Sequence, residues 1–112
     1  MGLKQNEMGE TYVSCLSSLN SFKTIYSTEK LLSGGMYYFE IKLLKGSNFK
    51  LGVSSVNYLT EVAFCDYIDG FGYYSAGYLR NGSKTSGEKY GRPFRGNGYQ
   101  DIIGVYVDLI KG

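Results

Sequence analysis

The chain contains no histidine. That absence removes the side chain most used as general base, proton shuttle and metal ligand. Nucleophilic chemistry would therefore have to be assembled from Lys, Tyr and carboxylates alone. There are only two cysteines. Cys15 and Cys65 lie far apart in apolar surroundings (YVSCL and VAFCDY), which leads us to expect buried free thiols rather than a bridge or a metal pair. No apolar run approaches the length of a membrane-spanning helix, and residues 1–10 are polar, so no targeting segment is read there. Charge of one sign is scarce as well: a net +2 over 112 residues is too mild to point to nucleic acid by itself. No metal and no cofactor is expected, and the chain reads as a soluble protein of the cell interior, cytoplasmic or nuclear.

What the chain does have is glycine and tyrosine. Sixteen Gly, twelve Tyr and six Phe against a single Pro, with few Ala or Leu at helical spacing, favour many short strands joined by tight turns. The fold class read from this is all-β, and 112 residues suffice for one core. The longest apolar run, residues 101–109, alternates Ile103, Val105, Val107 and Leu109 with Gly104, Tyr106 and Asp108, a period of two that marks a strand with one buried face. Residues 36–44 repeat the pattern with Tyr37, Phe39, Ile41 and Leu43, and residues 49–53 with Phe49, Leu51 and Val53. Turn residues 45–48 join these last two runs, so an antiparallel hairpin is expected there. A first hairpin is expected from 12–16 and 22–26, after a flexible lead-in over residues 1–11. A short strand is expected near 62–65. Sheets with one apolar face need a second layer, most simply another sheet. Phe39, Ile41, Leu51, Val53, Ile103, Val105, Val107 and Leu109 form the expected core.

Several strings invite a chemical reading that the spacing does not sustain. Asp66 and Asp69 suggest an acid/base pair or a cation site, but hard-cation loops need many more oxygen ligands, and Asp before Gly is ordinary turn chemistry. Gly77 and Gly82 have phosphate-loop spacing, yet Ser83 intrudes before Lys84, and no helix is predicted to follow. Asn81-Gly82-Ser83 is formally a glycosylation sequon, but Asn-Gly is first a hairpin turn.

Five segments, in order, resemble the SPRY domain family. Gly35-Met36-Tyr37-Tyr38-Phe39-Glu40-Ile41 is similar to its Gly-x-x-Tyr-Trp/Phe-Glu-Val motif, with Phe39 where many members carry Trp, and Leu51-Gly52-Val53 resembles the Gly-Val strand that follows. Tyr73-Tyr74-Ser75-Ala76-Gly77 with Arg80-Asn81-Gly82, and then Tyr90-Gly91-Arg92-Pro93-Phe94, look like its middle elements. Asp101-Ile102-Ile103-Gly104-Val105-Tyr106-Val107-Asp108-Leu109 looks like its Asp-x-Ile-Gly-x-x-x-Asp-Leu signature. The resemblance implies a bent sandwich of two antiparallel sheets. It also implies a non-catalytic protein-interaction module, whose end loops contact a short peptide or a folded partner. The family continues into further strands past this signature. Residues 12–112 are therefore expected to be the N-terminal two-thirds or so of a SPRY-like sandwich, its remaining strands supplied by further C-terminal residues or another chain.

The candidate contact residues are the aromatic and basic ones of the segments 55–69 and 78–95: Tyr58, Tyr67, Tyr78, Arg80, Lys84, Lys89, Tyr90, Arg92 and Arg95. Tyrosine among Gly, Ser and Asn gives binding loops area at low entropic cost. The basic side chains suit an acidic protein or peptide partner, or, as the alternative, a single-stranded nucleic acid or glycan met by pairing and stacking. The plain reading is that tyrosines cap the sandwich and the charges are merely solvated.

Overall fold

The alternation read in residues 36–44 and 101–109 is realised as two strands that pair with each other. The computed structural model describes residues 2–5, 11–14, 22–58, 60–82 and 87–110. Its strands are β1 (Gly2–Gln5), β2 (Thr11–Ser14), β3 (Met36–Lys42), β4 (Lys50–Ser54), β5 (Gly70–Tyr74), β6 (Tyr78–Arg80), β7 (Glu88–Lys89) and β8 (Ile102–Asp108). Among the described residues no α-helix occurs; the one helical element is a 3-10 turn, Phe64–Asp66. The protein is all-β and sandwich-like, built from antiparallel sheets: β3 with β8, the order β4-β5-β6-β7, and the hairpin β1-β2.

Four expectations about local pairing are corrected. The turn at 45–48 does not close a hairpin between β3 and β4, because its backbone bonds go elsewhere. The Gly96 amide donates to the Gly46 carbonyl, the Gly46 amide to Asn97 Oδ1, and the Ser75 hydroxyl to the Ser47 carbonyl. The chain thus crosses from one sheet to the other at that turn, and β3 takes β8 as partner, Phe39 opposite Val105. Residues 22–26 form no strand; Thr24 instead bonds to the Thr60 carbonyl and caps the Phe64 amide through its hydroxyl. In place of an unstructured lead-in, β1 pairs with β2, Leu3 opposite Val13. The segment 62–65 enters the 3-10 turn rather than a strand.

Burial also differs from the expected core. On β3 and β8 the odd residues Phe39, Ile41, Ile103, Val105 and Val107 face inward as the alternation predicts, but they, with Leu51, Val53 and Leu109, are half-buried. The fully buried apolar side chains are Leu43, Ala63, Phe64, Cys65 and Phe94. The glycines of β5 explain two of them. Gly70 and Gly72 share one sheet face, and the 3-10 turn lies directly on it. A Cβ at Gly72 would stand 2.7 Å from Cys65 Sγ, and one at Gly70 would strike the Phe64 carbonyl. The Gly-Phe-Gly sequence is therefore a seat for Phe64 and Cys65.

Cys65 is a free, fully buried thiol; Cys15 lies outside the described residues. Burial pushes the Cys65 thiol above its ordinary value of 9.0, although Lys50 and Arg80 draw it down. The folded state thus holds a proton that the unfolded chain releases first. The resulting stabilisation is full below the unfolded thiol pKa and is lost as pH rises through the higher folded one. In a Cys15→Ser variant at pH 8, a thiol reagent should label Cys65 only as fast as the fold opens, and at once in denaturant. Immediate labelling of the native protein would contradict this burial.

Candidate binding site at a basic, aromatic end of the sheet

The registers of the four-stranded sheet divide the candidate contact residues between two ends. β4 and β5 run antiparallel with Lys50 opposite Tyr74 at one end and Ser54 opposite Gly70 at the other, about 13 Å apart along the strand. Tyr58 and Tyr67, both exposed, belong to the connection that leaves from the Ser54/Gly70 end. Tyr78, Lys89, Tyr90, Arg92 and Arg95 belong to the other. Lys84 lies outside the described residues.

At the Lys50/Tyr74 end, one face of the sheet carries a row across all four strands: Lys50 opposite Tyr74, Tyr74 opposite Tyr78, Tyr78 opposite Lys89. The row is closed at one side and open at the other. Lys50 Nζ sits 4.1 Å from the centroid of the Phe22 ring and 5.1 Å from that of Tyr74, while Tyr78 is half-buried and Lys89 exposed. Lys50 and Arg80 both approach the same carboxylate oxygen, Asp66 Oδ1, at 3.2 and 2.7 Å. Their side chains are only 8% and 7% exposed. Arg80 is therefore a member of an interior ion cluster and is removed from the candidate contact surface. The string Leu79-Arg80-Asn81 gave no sign of this, because its charge is answered from the 3-10 turn fourteen residues earlier.

The opposite face of the same end is organised by Tyr73. Its ring packs edge-on against Tyr90 at 5.4 Å and Phe94 at 4.5 Å, and its hydroxyl donates to the Arg92 carbonyl at 2.9 Å. Each such aromatic pair adds about 0.5–1.5 kcal/mol beyond burial. The Tyr90 amide donates to the Gly77 carbonyl and the Phe94 amide to the Ser75 carbonyl. These bonds moor residues 90–94 to the sheet while Tyr90 stays exposed.

Residues 95–101 are pinned in turn by Asp101. Its carboxylate, on a side chain 15% exposed, accepts the Arg95 amide at 2.9 Å and stands 3.5 Å from the Arg92 guanidinium. Asn97, in the left-handed region at φ 44, bonds through its side chain to Gly46. The Arg95 guanidinium lies 3.7 Å over the Tyr99 ring, and Tyr99 is exposed. Lys45 joins this surface because its backbone passes directly behind Gly96. Lys45, Arg92 and Arg95 are exposed cations opposed locally by Asp101, beside the exposed rings of Tyr90 and Tyr99. The segment 83–98, polar in sequence, is in its described part a fixed platform.

No protein-family model, curated protein or solved structure matches this chain.

The chemistry available at this end is recognition. A guanidinium stacked on an aromatic face keeps its N–H edges outward for a carboxylate or phosphate oxygen pair. Loops held by backbone bonds lose little further entropy on binding. Sequence reasoning missed Asp101 and Lys45 as partners of this surface, and it marked Tyr99 as a loop tyrosine without placing it in the contact set. Of the available signals, the Asn97-Gly98 and Lys45-Gly46 turns mark loops but do not say that the two loops meet. A cavity of about 40 Å³ between Thr24–Tyr26 and Gly52–Ser54 is far below the few hundred Å³ that a small-molecule site needs. Among the described residues, no group of three or more His, Cys, Asp or Glu is arranged to hold a metal ion, and no helix is long and apolar enough to cross a membrane.

Proposed function

We propose that the chain is a SPRY-like, non-catalytic interaction module of the cell interior that binds a protein or short peptide through acidic side chains at the basic, aromatic end. The observation that carries this reading is the fixed platform itself: Arg95 stacked on Tyr99, Arg92 and the Arg95 backbone held by Asp101, and Tyr90 held on Tyr73. The direct pairing of β3 with β8 supports the family part of the proposal, since it sets Tyr37-Tyr38-Phe39-Glu40-Ile41 beside the stretch from Ile103 to Val107, and these belong to two of the five segments that carry the resemblance.

Fluorescence anisotropy with a labelled Glu-rich peptide tests it. Arg95→Ala and Tyr99→Ala should each weaken binding about tenfold, as expected for an anchoring cation and the ring that orients it. Arg95→Lys should recover little, because the planar fork is lost, and Tyr58→Ala should change nothing. A labelled single-stranded oligonucleotide of equal charge measures the alternative. If it binds more tightly, and with a steep dependence on salt, the nucleic-acid reading wins.

A further inference from the structure

We propose that the outer edge of β8 is a homodimerisation edge, at which two copies of the chain join their β8 strands antiparallel about a two-fold axis through Val105. The hydrogen bonds of the β3–β8 pair fix which groups are free. The Leu43 amide donates to the Asp101 carbonyl and the Leu109 amide to the Gly35 carbonyl, so the odd-numbered residues of β8 are the ones bonded to β3. The amides and carbonyls of Ile102, Gly104, Tyr106 and Asp108 point to the other side. Among the described residues they meet no backbone partner there.

The sequence of this edge makes it self-complementary. In an antiparallel pairing centred on Val105, Gly104 faces Tyr106 of the second copy and Ile102 faces its Asp108. Every outward-pointing amide then finds an outward-pointing carbonyl, and no like charges meet. Ile103, Val105 and Val107 fall on one face in both copies, so the half-buried aliphatic faces of the two β3–β8 ribbons become one four-stranded surface. The other long edge, β3, is less suited. It carries Glu40 and Lys42, and lysine is a usual guard against edge pairing. β8 has no Lys, no Pro and an unbroken register. Tyr38 and Tyr106, opposite each other and exposed on the outer face, would lead across the dimer to Gly104 and Glu40 of the second copy, where the missing side chain of Gly104 leaves room for the Tyr106 ring.

Sedimentation velocity on the full chain over a range of concentrations tests the proposal, combined with residue-resolved hydrogen exchange. We expect a reversible dimer in which the Gly104 and Tyr106 amides are protected only at high concentration, whereas Ile103, Val105 and Val107 are protected throughout. Tyr106→Pro removes an outward N–H without touching the bonds to β3 and should weaken the dimer roughly thirtyfold or more. Tyr38→Pro, the matched change on the β3 edge, should leave it intact. A monomer at every concentration overturns the proposal. So does a dimer unaffected by Tyr106→Pro, or one whose Gly104 and Tyr106 amides exchange freely. Should Tyr106→Pro fail to fold, the alternating exchange pattern of the unmodified chain decides.

Discussion

Replacing Asp66 by Asn is expected to lower the unfolding free energy by about 3 kcal/mol. Lys50 and Arg80 share Asp66 Oδ1, and both are more than nine-tenths buried. Removing the Asp66 charge takes from both cations the carboxylate they share, while their side chains stay largely shielded from water. The 36% exposure of Asp66 places the effect at the lower end of what breaking a buried pair costs. Urea denaturation measures it. Adding Lys50→Met should recover part of the loss, since it removes one stranded charge and places a flexible apolar chain between Phe22 and Tyr74. By contrast, Glu61→Gln, which breaks the surface pair with Lys23, should leave the midpoint where it was. Equal effects at Asp66 and Glu61 would mean that the interior cluster is not closed.

Gly52→Ala is expected to cost at least about 3 kcal/mol and to leave little folded protein at 37 °C. Gly52 stands opposite Gly72, and a Cβ there would strike the Phe71 carbonyl of the neighbouring strand. That obstacle is backbone and cannot rotate away. Gly98→Ala supplies the scale. Nothing lies within 4 Å of a Cβ at that site, and only its φ of +93° resists substitution, so about 1 kcal/mol is expected. Thermal melts of the two variants check the order. If Gly52→Ala proved the milder, the close approach of β4 to β5 would be wrong.

The strands with strict alternation were legible from sequence. Tyr37-Phe39-Ile41 and Ile103-Val105-Val107 each show one inward face, and the structure keeps both faces as read. Their partnership was not legible. Local turn chemistry at Lys45-Gly46-Ser47-Asn48 is genuine, but whether a turn closes a hairpin depends on where its amides and carbonyls find partners. Here those partners are Gly96, Asn97 and Ser75, distant in sequence. The sequence assigns no role to the glycines of Gly70-Phe71-Gly72, and only the 3-10 turn lying on them reveals that their lack of a side chain is the point. The binding surface was half legible. Tyr90, Arg92 and Arg95 were marked by their types and come together, whereas Tyr58 and Tyr67 shared those types and stand at the opposite end. Arg80 looked like any loop cation and lies inside. Residue type predicts what a side chain can do; the register of β4 with β5 decides which of them can do it together.

The most direct test of the account is a titration of the isotopically labelled chain with a Glu-rich peptide, followed by amide chemical shifts. Progressive shifts confined to Lys45, Tyr90, Arg92, Arg95 and Tyr99, with Tyr58 and Tyr67 unmoved, are the predicted result. Shifts centred on Tyr58 and Tyr67, or none anywhere at saturating peptide, would contradict it.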